Sequence, residues 1–148
     1  MIAKNEIPLA LRAAYLAMHR RCESRFGDYG VTADQFVLLA TLARGHALTQ
    51  RELARRMSSD PSTVRAMLVL LERCGFVQRE THATDARART VALTAAGKRK
   101  FRQLWKAGES IRAKMYGSLQ PYEAETLVRL LARVAEVVGG EPARLEVS

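Results

Sequence analysis

The sequence contains few of the residues that redox or metal chemistry requires. Only two cysteines, Cys22 and Cys74, occur among 148 residues, which is too few for a disulfide framework. The three histidines are widely spaced, and no Cys/His pair has the spacing of zinc ligands. We therefore expect no metal ion and no other cofactor, with His19, Cys22 and Glu23 as the only local set that resembles part of a metal site.

The chain also lacks long apolar runs and the motifs of common enzymes. No uncharged apolar run approaches the ~20 residues that span a bilayer, and no small-residue cleavage pattern follows the apolar residues near the N-terminus. These features predict no membrane contact, and the scarcity of cysteine favours a cytoplasmic, reducing location. Because no Gly-rich phosphate loop, nucleophile motif or carboxylate pair in a pocket-like context is present, we expect that the protein is not an enzyme.

Acidic residues are scarce in the middle of the chain. The net charge is +9 and the pI is near 10.3. Between Arg44 and Lys106 there are 14 Lys or Arg against 5 Asp or Glu, whereas the two flanks together hold 10 of each. All of the excess positive charge therefore lies in one segment. Such segregation is typical of a module that binds a polyanion, and solubility alone does not require it.

Apolar periodicity predicts long helices on both sides of this basic segment. One is predicted over residues 5–26, with apolar residues on most sides of its first half, which implies burial by more than one neighbour. Two more are predicted over residues 95–116 and 121–138, after Thr94 and Gln120. The apolar stripe of the last helix consists of Leu127, Leu130, Leu131, Val134 and Val138.

The basic segment is predicted to contain shorter helices. Capping-box patterns begin helices at Thr32 and Thr49. Asp60 followed by Pro61 suits the start of a third helix, which runs to about Arg73.

Two strands, over residues 76–81 and 88–93, follow these helices and are joined by a short polar loop. The order of elements predicts a mainly α fold with a small β-hairpin wing, which is a winged helix-turn-helix between flanking helices.

In a helix-turn-helix, the second helix lies in the DNA major groove, and here that helix covers residues 61–73. Steps of 100° per residue place Val64, Leu68 and Leu71 on the inward face, with Met67 nearby. The predicted outward face consists of Ser62, Arg65, Ala66, Val69 and Arg73.

Each outward residue has a predicted contact. Arg65 suits guanine, and Ala66 and Val69 suit thymine methyl groups. Ser62 and Thr63, near the start of the helix, suit a phosphate. The alternative is that Ala66 and Val69 are tolerated surface residues or pack on another element.

The hairpin tip carries charged residues that cannot contribute to a core. An arginine there is placed to enter the minor groove, where the negative potential is concentrated. We predict that Arg87 inserts, that Asp85 orients its guanidinium group, and that Arg89 contacts phosphate or the groove edge. The alternative is an exposed ion pair of little energetic value.

Several of these segments together resemble the MarR family of winged-helix transcriptional regulators. The matching segments are LTQRELA (48–54), DPSTV (60–64), LERCGFVQR (71–79), DAR (85–87) and VALTAAG (91–97). The likeness covers about residues 31–97, and the flanking helices fit in number and length. Because several motifs match in the same order, the likeness is more specific than any single short motif.

The resemblance implies a homodimer on double-stranded DNA. Residues 1–30 would form an N-terminal dimerisation helix, 31–97 the DNA-binding domain, and 98–148 the C-terminal dimerisation helices and a tail. The neutral charge and large apolar faces of the flanking helices agree with this. A two-fold dimer places its recognition helices about one DNA turn apart on a pseudo-palindromic site. Such regulators mostly repress, and many release DNA when a small aromatic or anionic molecule binds.

In this family the ligand binds among the first, second and fifth helices. The resemblance therefore implies Tyr15, His19, Phe36 and Trp105 as ligand-binding residues, with Arg20 or Arg102 to meet an anion. Aromatic residues at helical spacing more often belong to a core.

Two alternatives remain open at this point. Some relatives sense oxidants through a cysteine on the first helix, and neighbouring arginines would lower the pKa of Cys22 if they face it, although its place on the apolar stripe favours a buried thiol. A winged helix is also used for non-specific DNA binding or for protein contact, and protein contact requires no arginine in the minor groove.

Overall fold

The structure is a computed structural model that describes residues 2–45, 47–81 and 89–139. The chain divides into two units, Met1–Ile111 and Arg112–Ser148. The elements of the first unit are α1 (Ile2–Gly27), α2 (Ala33–Leu42), β1 (Leu48–Thr49), α3 (Gln50–Arg56), α4 (Pro61–Arg73), β2 (Val77–Thr81), β3 (Arg89–Leu93) and α5 (Ala95–Ala107). The helix α6 (Glu109–Gly117) contains the boundary between the units, and α7 (Pro121–Gly139) lies in the second. The predicted C-terminal tail, from residue 140 onward, lies outside the described residues.

Side-chain caps begin the helices where the sequence predicts them. At α2 both bonds of the capping box are present, since Gln35 N donates to Thr32 Oγ1 and Thr32 N donates to Gln35 Oε1, each at 3.0 Å. At α3 the cap bond runs from Glu52 N to Thr49 Oγ1 at 3.1 Å. Such bonds satisfy backbone donors that the first turn of a helix leaves free. Local sequence therefore determines where these helices start.

The wing is part of a three-stranded antiparallel sheet with strand order β1-β3-β2. The hairpin strands β2 and β3 pair from Val77 opposite Leu93 to Thr81 opposite Arg89. The sequence analysis missed β1, whose Leu48 lies opposite Val91 on the other side of β3. Two residues are too few to show strand alternation, and their partner lies more than 40 positions away in the chain.

One apolar core holds α2, α3, α4, the sheet and α5 together. Its fully buried large side chains are Phe26, Leu38, Leu39, Leu53, Leu68, Leu71, Leu104, Val64 and Val91. The end of α1 is attached by polar contacts as well, because Glu23 Oε1 accepts from Ala33 N and Arg25 Nε donates to Ala107 O. The inward face of α4 is part of this core, which fixes the direction of its outward face.

The predicted single helix over residues 95–116 is wrong, because it breaks at Gly108. Gly108 N donates to Leu104 O at 2.9 Å, and Ile111 N then donates to Gly108 O at 3.1 Å, which is a tighter three-residue turn. A new helix, α6, starts at Glu109. Glycine is unfavourable inside a helix and is a common site of kinks, and apolar periodicity continues across such a break.

The expected burial of the first half of α1 by several neighbours is also wrong for the single chain. Ile7 is 49% exposed and Leu9 is 63% exposed, and Phe26, near the other end, is the buried residue of this helix. Apolar periodicity indicates that a face avoids water, but it does not identify what covers that face.

Candidate nucleic-acid interface

The helices α3 and α4 meet at a tight turn. Ser58 lies in the left-handed region with φ of 54°, and Ser59 N donates to Ala54 O at 2.9 Å. Leu53 of α3 and Val64 of α4 are both fully buried, which packs the two helices against each other. This is the arrangement of a helix-turn-helix.

The two faces of α4 are those that the sequence predicts. Val64, Leu68 and Leu71 are buried, and Met67 is half-buried at the edge of the core. The residues predicted to face outward are all exposed, namely Ser62, Arg65, Ala66, Val69 and Arg73. The structure therefore brings these five side chains onto one exposed face, while their contacts with DNA stay a prediction.

The N-terminus of α4 is capped by the carboxylate of Asp60, which accepts three hydrogen bonds. Asp60 accepts from Thr63 N at 2.9 Å and from the hydroxyl groups of Ser62 at 2.8 Å and Thr63 at 2.7 Å. The hydrogen bonds from the Thr63 hydroxyl, the Thr63 backbone and the Ser62 hydroxyl lower the pKa of Asp60 to about 2. Both hydroxyl protons are therefore donated to an anion in the free chain, and the phosphate contact of Ser62 and Thr63 stays a prediction.

The wing is joined to α4 and to α5 near the base of the hairpin. Arg79 of β2 forms an ion pair with Glu72 of α4, with Nε and Oε2 3.0 Å apart. The hydroxyl group of Thr94, which caps α5, also donates to Gly75 O. Arg89 is exposed at the start of β3. The predicted wing residues Asp85 and Arg87 lie outside the described residues.

Three arginines of α3 add positive charge that the sequence analysis did not assign to the site. Arg51, Arg55 and Arg56 are all exposed. In a helix-turn-helix the first helix crosses the DNA backbone, so cations on its exposed side are placed for phosphates. Arg51 and Arg55 are four positions apart, which places them on the same face of the helix, next to the predicted turn. This spacing could have identified them from the sequence.

The proposed ligand residues fall into two groups. The Tyr15 and His19 rings stack on α1 with centroids 5.4 Å apart. Phe36 and Trp105 are linked through Phe101, whose ring centroid lies 6.0 Å from each of theirs. Within the part of the chain that the structure describes, no ring contact joins the two groups.

A cleft of about 580 Å³ lies between the end of α2, the hairpin and α5. Phe101, Lys98 and Arg102 line it on the α5 side, and Gln78 and Glu80 line it on the hairpin side. None of the four proposed ligand residues lines this cleft, although Arg102, considered for an anion, does.

The remaining chemistry-bearing groups that the structure describes do not form a second site. Cys22 is half-buried against the core, and burial, followed by the charge of Glu23, raises the pKa of its thiol. This is the opposite of a redox-active thiol, so the redox alternative is not favoured. Among residues 2–45, 47–81 and 89–139, no group of three His, Cys, Asp or Glu side chains could hold a metal ion. The helices within these ranges include none long and apolar enough to span a membrane.

Comparison with known proteins gives consistent similarities. A family model described as the MarR family matches residues 29–88. The transcriptional regulator HosA of Escherichia coli O157:H7 is 30% identical over 134 residues, covering 90% of this chain and 98% of HosA. The transcriptional repressor MdtR of Bacillus subtilis (strain 168) is 27% identical over 132 residues, covering 89% of this chain and 85% of MdtR.

Solved structures agree on the fold. The NadR structure in complex with 4-hydroxyphenylacetate has a TM-score of 0.80 at 22% identity, covering 88% of this chain and 93% of that one. The MepR–DNA complex of S. aureus has a TM-score of 0.78 at 20% identity, covering 88% of this chain and 97% of that one. At these identities the likeness shows the winged-helix fold.

Proposed function

Because this chain belongs to the MarR family of transcriptional regulators, we propose that it is a repressor that binds double-stranded DNA as a homodimer. Its operator is a pseudo-palindrome, and a small aromatic or anionic ligand releases it. The similar repressor MdtR and the DNA complex of MepR support this proposal. It includes a cytoplasmic location and no enzymatic activity.

The observation that carries the proposal is the exposed face of α4 on a buried base. Arg65 and Arg73 project from the same helix whose opposite face, with Val64 and Leu68, is fully buried. A charged face on a rigid helix can be matched to base edges in the major groove, since the position of each side chain is fixed by the fold. Arg87 and Asp85 are proposed for the minor groove, and Arg89 for a phosphate or the groove edge.

A homodimer is proposed from the apolar surfaces of the flanking helices. On α1, Ile7 and Leu9 are exposed, and on α7, Leu127 and Leu131 are 43% and 41% exposed. Several exposed apolar side chains grouped on one helix are typical of a protein interface. Residues 1–30 and 98–148 are thus proposed to dimerise, and residues 31–97 to bind DNA.

A small-molecule effector is proposed from the aromatic side chains and from the NadR complex with 4-hydroxyphenylacetate. Tyr15, His19, Phe36 and Trp105 are the proposed ligand residues. Such a ligand releases DNA only if it binds more tightly to a dimer spacing that does not fit the operator.

The experiment that tests the proposal is selection of bound fragments from the genome of the source organism, followed by a salt titration on the best fragment. We expect a shared pseudo-palindrome and a steep linear fall of log affinity with log salt, because several phosphates are neutralised. Fragments without a common sequence would refute the proposal and favour non-specific DNA binding or protein contact.

A further inference from the structure

The hydrogen bonds at the start of α4 have a fixed direction. An ionised carboxylate only accepts hydrogen bonds, and Asp60, with a pKa of about 2, is ionised at neutral pH. The bond of 2.8 Å from Ser62 Oγ and the bond of 2.7 Å from Thr63 Oγ1 must therefore both be donated toward Asp60. The orientation of both hydroxyl groups is thus determined by Asp60.

This orientation decides what the two hydroxyl groups can bind on their other side. A hydroxyl group has one proton and two lone pairs, so Ser62 and Thr63 present only acceptors once their protons are donated. In the major groove, adenine N6 and cytosine N4 are donors, whereas guanine O6 and N7 and thymine O4 are acceptors, as are phosphate oxygens. Only bases with an amino group complement this end of the helix.

We propose that Asp60 is a positioning residue that makes Ser62 and Thr63 select adenine or cytosine at one position of each half-site. The inference rests on the proposed function, and it specifies how the same interface discriminates between bases. Ser62 and Thr63 touch the base, and Asp60 acts through them.

The arrangement exceeds what a helix cap requires. Capping needs the bond from Thr63 N, of 2.9 Å, and the other two bonds come from side chains that a cap does not need. A carboxylate at a helix N-terminus also repels phosphate, which that end would otherwise attract. Asp60 therefore favours a base contact over a phosphate contact at this position.

The test is a comparison of base-preference profiles for the full-length wild type and Asp60→Asn. Asparagine caps a helix about as well as aspartate, so α4 should stay intact. Its amide group donates to one of the two hydroxyl groups and thereby frees that proton to point toward DNA. We expect the preference for adenine or cytosine at one position per half-site to fall roughly tenfold in favour of guanine or thymine, the effect of about one hydrogen bond.

Matched variants separate this role from a structural one. Ser62→Ala and Thr63→Val each remove one hydroxyl group, and at least one should flatten the preference at the same position while other positions keep theirs. Thermal unfolding should be similar for wild type and Asp60→Asn. Asp60→Ala, which loses the cap, reports how much of any change comes from a weakened helix.

The outcomes distinguish the inference from the proposed function. If the wild type selects a pseudo-palindrome but Asp60→Asn selects the same profile, the inference is wrong and the regulator function stands. A uniform loss of affinity in Asp60→Asn, with no change at a single position, also overturns it. If the wild type selects no shared sequence, both the function and the inference are refuted.

Discussion

At the scale of single residues, the exposed face of α4 is determined by which of its side chains the core removes from solvent. Val64, Leu68 and Leu71 are at most 2% exposed, and Met67 packs at the edge of the core, so the side chains on the opposite side of the helix face outward. This is why helical periodicity predicted the positions of Arg65 and Arg73 correctly. It did not predict the direction of the Ser62 and Thr63 hydroxyl groups, because that depends on Asp60, whose cap role was predicted without its two side-chain bonds.

Arg65 is the residue whose loss should change base preference most clearly. Arg65→Ala removes a planar donor group suited to guanine O6 and N7, so we expect about a tenfold or larger loss of operator affinity and a relaxed preference at one position per half-site. Base-preference profiling and binding titrations measure both effects. Lys4→Ala, at the exposed start of α1, removes the same charge outside the basic segment and should leave the profile unchanged. A profile that Arg65→Ala does not alter would show that Arg65 reads no base.

At the scale of elements, the sequence predicted what local interactions determine and missed what distant ones determine. The starts of α2, α3, α4 and α5 follow from a cap residue and the backbone N–H that bonds to it three positions later. The strand β1 has no such local signal, and at Gly108 the apolar periodicity continues across a break that the glycine itself favours. β1 exists because Leu48 and Thr49 pair with β3, which only the folded chain brings next to them.

The junction between the wing and α5 depends on a close backbone approach at Gly97. A Cβ atom at this position would lie 1.9 Å from Phe76 O, and that oxygen accepts from Thr94 N at 3.1 Å. We therefore expect Gly97→Ala to lower the free energy of unfolding by roughly 3 kcal/mol, because the backbone must shift. Denaturant unfolding measures this change.

Gly27→Ala is the matched control for Gly97→Ala. Gly27 ends α1, and a Cβ atom there would meet nothing within 4 Å. The control should therefore change the free energy of unfolding by less than about 1 kcal/mol. Equal stability of the two variants would mean that the close approach is not needed to hold the wing.

At the scale of the whole molecule, charge and apolar surface lie on different parts of the chain. The excess of positive charge lies between Arg44 and Lys106, and exposed apolar side chains are concentrated on α1 and α7. The MarR-family fold was predictable because several motifs match in order. The ligand site was not predictable in the same way. The proposed aromatic residues form two separate groups, and the cleft of about 580 Å³ is lined by other residues.

The proposed homodimer can be tested by substitutions in α7 of the full-length chain. Leu127 and Leu131 lie on one exposed apolar stripe, so Leu127→Glu with Leu131→Glu should not unfold a single chain. Charges buried in an interface without partners prevent association, and we expect a mass near the 16.5 kDa of one chain instead of about twice that value. Because the two recognition helices are then no longer linked, operator affinity should fall roughly a hundredfold or more.

The control for this double variant is Arg129→Ala with Arg133→Ala. These arginines are exposed outside the apolar stripe of α7, at roughly 160° and 120° around the helix from its centre. Their loss lowers the net charge by the same two units. Light scattering should find this control dimeric, with operator affinity reduced only by its lower charge. If Leu127→Glu with Leu131→Glu also stays dimeric and binds the operator normally, the apolar stripe of α7 is not the surface that joins the two chains. Dimerisation would then have to rest on other exposed apolar side chains of the flanking helices, such as Ile7 and Leu9 of α1 or Met115 and Tyr116 of α6.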